Sequence, residues 1–433
     1  MSVLLFVGAP FGPFFSRLAR EIESTGSSVF RTVCEGGEYL ETPSHCRIIY
    51  RHRDGDWKRF IRGVMRRNKI DAVITLNDTL PRNRAALEVA EEMALHSFVL
   101  ENGYLRPHWV TLERDGVNGF SRLPRDPEVY LKARLGSGDP ARDRNFPAGL
   151  RPHVIHTMTH FFAAIAFKPV LGFDANYYGD SVYRQAYGYV KEYLWRLTHD
   201  ESGALSRVLD LAGTGRKVFL ALLQKPGDAQ LVVHSRHGGN AAFIDELISS
   251  FASNAPDDAI LVVKQHPLDY GVERTPIRVA ALIARHGLAD RVFFLRKTSI
   301  DKIMTSAHAV VTINSTAGLA AIIEEKPVLC VGRAFYNIPG LTCAGPLSRF
   351  WREAARPSPR LVKGFVAFLK STSQFNGGFH TPEGREILVP LLAQRLLEGV
   401  RQAPKLSAEA LNRASYAERH RQIGARFGAA VAR

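Results

Sequence analysis

The sequence predicts an α/β protein built from two Rossmann-like domains, and three observations support this prediction. The chain has 433 residues, which is too many for one ordinary hydrophobic core and comfortable for two. Hydrophobic residues make up 45% of the chain and charged residues 23%, as is typical of globular proteins. Short apolar runs alternate with amphipathic helical patterns in two separate stretches, which indicates parallel sheets with helices on both faces.

The first stretch of alternation lies at the N-terminus. Strands are predicted at Val3 to Val7, Ser28 to Val33, Ala72 to Leu76 and Ser97 to Leu100. Helices are predicted at Pro13 to Ile22, Asp56 to Arg67 and Arg82 to Met93. The first apolar run is short and has no basic segment before it, so we interpret it as a buried strand rather than a signal peptide.

Alternation resumes after a middle segment, from about Arg122 to Leu209, whose patterns are helical. Strands are predicted at Lys217 to Leu223, Ala259 to Lys264, Val292 to Leu295, Ala309 to Ile313 and Val328 to Val331. Helices are predicted at Asn240 to Phe251, Thr275 to Arg285, Ser299 to Ser306, Ala317 to Glu324, Ser348 to Leu369 and Glu383 to Val400.

This pattern predicts a first domain at residues 1–205, a second at 206–400 and a basic helical tail at 401–433. Two such domains facing a cleft, followed by C-terminal helices, form the plan called GT-B. In open α/β sheets, ligands bind outside the carboxyl ends of the strands. We therefore expect the functional residues in the loops that follow strands.

The charge of the chain predicts anionic partners. Its formal net charge is +15, and basic residues are frequent from Lys405 to Arg433, in a pattern that fits either a helix lying on anionic lipid or a solvated surface helix. Zinc-finger spacing, an aromatic RNA-binding strand and basic runs are absent from the sequence, which argues against nucleic acid. No apolar run approaches the roughly 18 residues of a membrane helix. The four cysteines lack CxxC spacing, which favours a reducing, cytoplasmic location.

Two loops of the second domain combine features of a phosphate site. Asn314, Ser315 and Thr316 follow a strand and begin a helix, where hydroxyls, free backbone N–H groups and the helix dipole favour an anion. His266 and Pro267 follow another strand, so the imidazole lies at the same edge of the sheet. Together these residues predict a phosphate clamp; the alternatives are an ordinary helix cap and an ordinary loop histidine.

A third loop of the second domain contains a carboxylate. Gln224 follows the first strand of this domain, Asp228 comes four residues later, and His234 and Ser235 follow. Asp228 is predicted to face the cleft as a nucleophile or base, with a turn aspartate as the alternative.

The first domain offers an acid and a base in one loop. Glu101 and Arg106 lie in the segment after a strand, where Gly103 permits a tight turn, and Asn118 lies a little further on. Asp78, with Arg82 and Arg84, follows a neighbouring strand, and its alternative interpretation is an exposed helix cap. His153, His156 and His160 share a helical face, which we interpret as packed or solvated because no acidic ligand accompanies them in the sequence.

Taken together, these residues resemble the capsule polysaccharide biosynthesis and export proteins that act as retaining β-Kdo transferases. The resemblance runs through most of the chain and favours the shorter branch of that family, which has a single transferase module. The motifs that carry it are Gly12-Pro-Phe-Phe-Ser-Arg17, Gly36-Gly37, Glu101-Asn-Gly-Tyr-Leu-Arg-Pro107, Gly116-Val-Asn-Gly119, Gln224 to Asp228 with His234-Ser235, Gln265-His-Pro267, Asn314-Ser-Thr316, Pro339-Gly-Leu-Thr342 and Asn376-Gly-Gly378.

The resemblance implies a GT-B fold, CMP-β-Kdo as donor, and transfer onto a phosphatidylglycerol-type lipid at the inner face of the cytoplasmic membrane. It implies that the His-Pro pair and the Ser/Thr cap hold the CMP phosphate. Asp228 matches the proposed nucleophile, and Glu101 lies where a general acid/base is expected. Other capsule synthesis and export proteins are further expected partners. The chain departs from the family at Glu38, where aspartate is usual, and at the loop Leu76-Asn77-Asp78.

Retention of anomeric configuration requires an even number of inversions, which fits a carboxylate nucleophile and a separate base. A CMP-sugar needs less help from a metal than a nucleotide diphosphate does, and no DxD motif follows a strand, so we expect no metal or other cofactor. Two alternatives remain open. One is a nucleotide-sugar 2-epimerase of the same fold, although Asn314 to Gly318 lacks its paired glycines; the other is a non-catalytic export component.

Overall fold

The computed structural model describes residues 1–8, 10–51, 56–133, 143–147, 150–171, 182–226, 229–269, 271 and 273–402. These residues divide into two compact units. The first unit takes its residues from Met1–Arg122, Gly136–Ser181 and Leu369–Gln422, and the second from Leu123–Leu135 and Val182–Phe368. Asp228 and residues 403–433 of the predicted tail lie outside the described residues.

The first unit contains a seven-stranded sheet with the order β12-β6-β5-β4-β1-β2-β3. Its strands are β1 (Val3–Val7), β2 (Ser28–Val33), β3 (Arg47–Ile49), β4 (Ala72–Leu76), β5 (His96–Asn102), β6 (Trp109–Arg114) and β12 (Gln374–Asn376). Its helices are α1 (Phe14–Ser24), α2 (Gly36–Glu41), α3 (Trp57–Arg67), α4 (Pro81–Glu92), α6 (Leu150–Leu171) and α16 (Pro382–Gln402). Strands β1 to β5 are parallel to one another, whereas β6 is antiparallel to β5 and β12 is antiparallel to β6.

Helices cover both faces of this sheet because strand side chains alternate between faces. Phe14, Leu18 and Ile22 lie four residues apart on α1 and pack with Leu4 and Phe6 of β1 and with α16. On the other face, the odd-numbered residues Leu5 and Val7 pack against α3 and α4. The polar loops at the strand ends therefore extend from a buried, rigid sheet.

The second unit contains a five-stranded parallel sheet with the order β11-β10-β7-β8-β9. Its strands are β7 (Val218–Leu222), β8 (Ile260–Lys264), β9 (Val292–Leu295), β10 (Ala309–Thr312) and β11 (Val328–Cys330). Its helices are α5 (Pro127–Leu131), α7 (Val182–Thr198), α8 (Ser202–Gly213), α9 (Ala229–His234), α10 (Asn240–Asn254), α11 (Thr275–His286), α12 (Ile300–Met304), α13 (Thr316–Ile323), α14 (Leu347–Glu353) and α15 (Pro359–Thr372). The core packs α10, α11 and α14 against apolar strands.

The predicted α/β class is confirmed, and several of its boundaries are corrected. Residues 182–205 belong to the second unit, and the chain from Leu369 returns to the first. There β12 pairs with β6, and α16 shares a core with α1. The single helix predicted from Ser348 to Leu369 is two helices, α14 and α15, because Pro357 and Pro359 interrupt it. Within the described part of the chain, no helix combines the length and apolarity needed to cross a membrane.

Candidate functional site

Three loops of the second unit meet at the carboxyl edge of its sheet. Strand β7 pairs with β8 on one side and β10 on the other, with Leu222 opposite both Lys264 and Thr312. The loops after these strands contain Gln224, His266 and Asn314. Adjacent strands lie about 4.8 Å apart, so the outer two strand ends are separated by about 10 Å. The prediction that the histidine and the Asn-Ser-Thr segment share one edge is confirmed.

A buried amide network joins two of these loops. The Gln224 side-chain Nε2 donates to Asn314 Oδ1, although the residues are 90 positions apart. The backbone of Gln224 is held by Asn240, whose Oδ1 accepts from its N at 3.2 Å and whose Nδ2 donates to its O at 2.8 Å. Gln224 Oε1 is buried and accepts no hydrogen bond from the residues that the structure describes. The network fixes the edge of the sheet and leaves one acceptor unpaired.

The third loop begins α13. Ser315 Oγ accepts a hydrogen bond from Ala317 N at 3.2 Å, which makes it the N-cap, and Thr316 is the first helical residue. Tyr336 Oη donates a hydrogen bond to Ser315 O, at the start of this helix, at 2.5 Å. The helix-cap interpretation of Ser315 is confirmed, and phosphate binding at the same N-terminus stays a prediction.

His266 has a defined tautomer in this loop. Its Nδ1 accepts a hydrogen bond from Leu268 N at 3.0 Å, so the ring carries its proton on Nε2. Pro267 is exposed, and its carbonyl accepts from Arg196 Nη2 at 2.7 Å. The neighbouring Lys264 donates to the carbonyls of Gln265 and Arg296, and its burial lowers the pKa of its ammonium to about 8.

His234 and Ser235 are buried inside the second unit, where they hold neighbouring segments in place. Burial, with the nearby charge of Arg333, lowers the pKa of His234 to about 3, so its imidazole is neutral. Its carbonyl accepts from Arg333 N at 2.9 Å, which anchors the segment after β11. Ser235 Oγ is also buried and accepts from His237 N at 3.0 Å. Both residues therefore have supporting positions. The predicted nucleophile Asp228 lies outside the described residues.

In the first unit, Asp78 differs from its sequence interpretation. It is fully buried at the end of β4 and is no exposed helix cap; the residue before α4 is Leu80. Its Oδ2 accepts from Val117 N at 2.8 Å. Burial raises the pKa of Asp78 to about 7, and the charges of Glu101 and Glu113 contribute. Its expected partner Arg84 pairs with Glu88 instead, at 3.0 Å.

The two first-unit motifs are joined to each other. Glu101 lies within β5, opposite Thr111 of β6, rather than in the loop after the strand as predicted, because the strand continues to Asn102. Tyr104 Oη, in the loop that follows, accepts a hydrogen bond from Asn118 N at 2.7 Å, which connects this loop to the glycine-rich segment after β6. Glu101 is partly exposed, and Arg106 is exposed with its Nε 3.4 Å from Gly103 O. The structure thus brings Glu101, Asn118 and Asp78 into one cluster and leaves Arg106 at its surface.

Of the two interpretations of the three α6 histidines, packed or solvated, the structure shows the packed one, but the expectation that no acidic side chain accompanies them is wrong. His160 Nε2 lies 2.8 Å from Glu35 Oε1, and its Nδ1 lies 3.7 Å from Glu41 Oε1. Burial alone lowers the pKa of His160, but the two carboxylates outweigh it and raise the pKa to about 9. His153 Nδ1 shares a hydrogen bond of 3.0 Å with His380 Nε2. These partners are distant in sequence, so spacing did not reveal them.

Two further features lie apart from these loops. Among the described residues, one group of potential metal ligands has its atoms within 4.8 Å of one another, and it comprises Glu23, His45 and Cys46. A cavity of about 310 Å³ in the second unit is bounded by Thr342, Arg349 and Glu353 among others. Neither feature includes a predicted site residue.

The fold and the strand-end loops define an α/β protein with polar loops after the strands of each sheet, which is the edge where ligands bind in open α/β folds. Comparison with known proteins identifies the family. The family described as "Capsule polysaccharide biosynthesis protein" matches residues 71–380, and the chain belongs to this family.

Individual relatives are similar over nearly their whole length. The chain is 29% identical to the capsule polysaccharide export protein KpsS of Escherichia coli over 380 residues, which cover 87% of this chain and 96% of that protein. It is 28% identical to the capsule polysaccharide modification protein LipB of Neisseria meningitidis over 392 residues, or 87% and 91% of the two chains. A solved β-Kdo 2,7 transferase, KpsC of Thermosulfurimonas dismutans, is 15% identical with a TM-score of 0.42, over 92% of this chain and 99% of that one.

Proposed function

We propose that this protein is a retaining glycosyltransferase that moves β-Kdo from CMP-Kdo onto a phosphatidylglycerol-type lipid and so starts the linker of a capsular polysaccharide. The observation that carries the proposal is the shared edge of β8, β7 and β10, where His266, Gln224 and the start of α13 lie together. Membership of the capsule family supports it. The protein would act at the inner face of the cytoplasmic membrane, beside other capsule synthesis and export proteins.

The donor phosphate fits this edge for electrostatic reasons. The start of α13 brings the positive end of its dipole to this edge, and His266 offers an Nε2 proton. The partly exposed Thr316 adds a hydroxyl at the same helix start. These groups would neutralise the charge that CMP develops as it leaves, which is the condition for using a phosphate as leaving group.

The proposed reaction consists of two displacements. The Asp228 carboxylate attacks the anomeric carbon, the bond from that carbon to the phosphate oxygen breaks, and CMP leaves with the bonding electron pair. An acceptor hydroxyl then attacks the same carbon, gives its proton to Glu101, and displaces the Asp228 carboxylate. Two inversions preserve the configuration. We propose that no metal takes part, because the helix N-terminus and His266 supply the electrostatic stabilisation.

The test is release of CMP from CMP-Kdo, made in situ, by the purified protein with a short-chain phosphatidylglycerol acceptor. EDTA is added once the donor has formed. We expect acceptor-dependent release and a glycosylated lipid by mass spectrometry, both unaffected by EDTA. Asp228→Asn should abolish turnover, and His266→Gln should lower kcat by about 100-fold.

The matched control is Asp257→Asn in the same unit. Asp257 is exposed and lies at the opposite edge of the sheet, where it forms a weak surface ion pair of 3.8 Å with Arg291. Removing its charge should therefore leave turnover unchanged. Turnover that persists in Asp228→Asn would exclude this residue as nucleophile. Interconversion of a UDP-sugar without transfer would favour the epimerase. Capsule export that survives Asp228→Asn in cells, without turnover of any donor by the wild type, would favour an export component.

A further inference from the structure

The solvent face of α6 carries a continuous apolar row. Val154, Ile155, Met158, Phe162 and Ile165 are exposed, with Met158 at 66% and Phe162 at 76%. Val154 and Ile155 are adjacent, and the next steps of three and four residues place the set along one side of the helix. At 1.5 Å per residue the row is about 17 Å long. Exposed apolar residues that are contiguous rather than scattered mark an interaction surface.

The opposite face of the same helix is already occupied within the first unit. The His156 ring lies so close to Gly12 that a Cβ there would come within 2.5 Å of it, and His160 and Ala163 approach Gly37 and Gly36 still more closely. The ion pairs of His160 with Glu35 and Glu41 add to this packing. Helix α6 is therefore fixed through its histidine face, and its apolar row points away from that contact.

The charge around the row selects the kind of partner. The 22 residues of α6 include no aspartate or glutamate, and the exposed Arg151 and Lys168 lie near its two ends. A second copy of this chain would bring the same cations and a net charge of +15, and the tail from Lys405 to Arg433 is also basic. Both of these occupants would be repelled, whereas an anionic phospholipid surface is attracted.

We propose that the α6 row docks this protein on an anionic phospholipid surface. Met158 and Phe162 enter the boundary between headgroups and acyl chains, while Arg151 and Lys168 contact headgroup phosphates. Apolar side chains at this boundary gain by leaving water, and the two cations gain from the negative potential of the lipid surface. This inference rests on the proposed function and extends it, because docking on such a surface would bring the protein to its lipid acceptor.

A comparable exposed row occurs on α7 in the second unit, at Tyr187, Val190, Tyr193, Leu194 and Leu197. The proposal is confined to α6 because α7 includes an acidic residue, Glu192, which is committed to ion pairs with Arg196 and Arg296. Among the described residues, Arg151 and Lys168, the basic residues near the ends of the α6 row, form no such ion pair.

The test is flotation of the full-length protein with vesicles of phosphatidylcholine alone or mixed with phosphatidylglycerol, without any sugar donor. We expect the wild type to bind the mixed vesicles at least about tenfold better than the neutral ones, and salt to weaken this binding. The double variant Met158→Glu/Phe162→Glu should lose this binding by about tenfold or more. Ile277→Glu is the matched control, since Ile277 is 67% exposed on α11 of the other unit, and it should bind as wild type does.

A second measurement separates this inference from the transferase proposal. With monomeric short-chain phosphatidylglycerol, the double variant should turn over as wild type does, whereas with vesicles its turnover should fall in proportion to binding. Lipid binding that depends on α6 supports docking even if no donor is turned over. The proposal is overturned if the double variant binds as wild type, if wild type prefers neither vesicle, if Arg419→Glu/Arg421→Glu alone abolishes binding, or if light scattering shows a dimer that the double variant dissociates.

Discussion

At the scale of single residues, Asp78 shows how an acidic group acquires a function in holding loops together. Its carboxyl group has no exposed surface and accepts a hydrogen bond from Val117 N. Besides this burial, the charges of Glu101 and Glu113 also raise its pKa. Desolvation disfavours the ionised form, which is why its pKa rises to about 7. Glu101, the proposed base, therefore lies beside a carboxyl that is mostly protonated below pH ~7.

Asp78→Asn should change the pH dependence of stability. In the unfolded chain this carboxyl loses its proton near its ordinary pKa of 3.8, but in the folded protein only near 7. Its contribution is thus fully present below pH ~3.8 and is lost as pH rises through ~7. The uncharged amide that the substitution introduces can still accept from Val117 N and does not titrate in this range. Relative to wild type, the variant should gain a few kcal/mol between pH ~4 and ~8, at ~1.4 kcal/mol per pKa unit.

Urea denaturation at pH ~4 and pH ~8 measures the free energy of unfolding of Asp78→Asn relative to wild type. Asp257→Asn, which removes an exposed carboxylate, should follow the wild-type pH profile. Equal pH profiles for wild type and Asp78→Asn would mean that Asp78 is ionised in the folded protein.

At the scale of elements, α13 depends on a glycine that lets the helix approach Tyr336. A Cβ on Gly318 would overlap Tyr336 Oη and lie 2.9 Å from Thr312 Cγ2. The same hydroxyl donates to Ser315 O, so the side chain that excludes a Cβ also fixes the proposed phosphate-binding turn. One tyrosine therefore fixes the position of the helix start.

Gly318→Ala should destabilise the protein by about 1–3 kcal/mol, because an atom is forced into a packed contact. Gly203→Ala is the control: Gly203 is helical, nothing lies within 4 Å of its Cβ position, and alanine should be neutral or stabilising there. Thermal denaturation measures both. Adding Tyr336→Phe to Gly318→Ala removes the overlapping oxygen and should recover part of the loss. A Gly318→Ala protein as stable as wild type would show that α13 can shift without cost.

The sequence predicted the elements that are set by local pattern. Strands β1, β2, β4 and β9 occur at the predicted residues, because buried parallel strands have continuous apolar runs. It missed β6 and β12, and β12 has three residues whose pairing partner, β6, lies more than 250 positions away. The same limit applies to the site. Strand ends identified Gln224, His266 and Asn314, but the bond of Gln224 to Asn314 and the burial of Asp78 depend on contacts that no local pattern records.

At the scale of the whole molecule, the chain leaves the first unit and returns to complete it. Helix α16 is amphipathic, with Leu388, Leu392 and Leu396 on one side, and such a helix fits the face of either sheet equally well on pattern alone. The sequence therefore placed it in the second domain. Its actual partners are α1 and the strands of the first unit, so residues near the C-terminus stabilise the sheet that holds Glu101.

Leu396→Ala tests this assignment. Leu396 is fully buried in the core of the first unit, and its truncation should cost about 2–5 kcal/mol there. In hydrogen exchange measured by mass spectrometry, peptides from β1, β4 and α1 should lose protection, while those from β7, β8 and β10 keep theirs. Leu247→Ala, in the core of the second unit, should give the reverse pattern. If Leu396→Ala instead lowers protection in β7 and β10 and leaves β1 unchanged, α16 packs with the second unit. The domain boundary predicted from the sequence would then be correct.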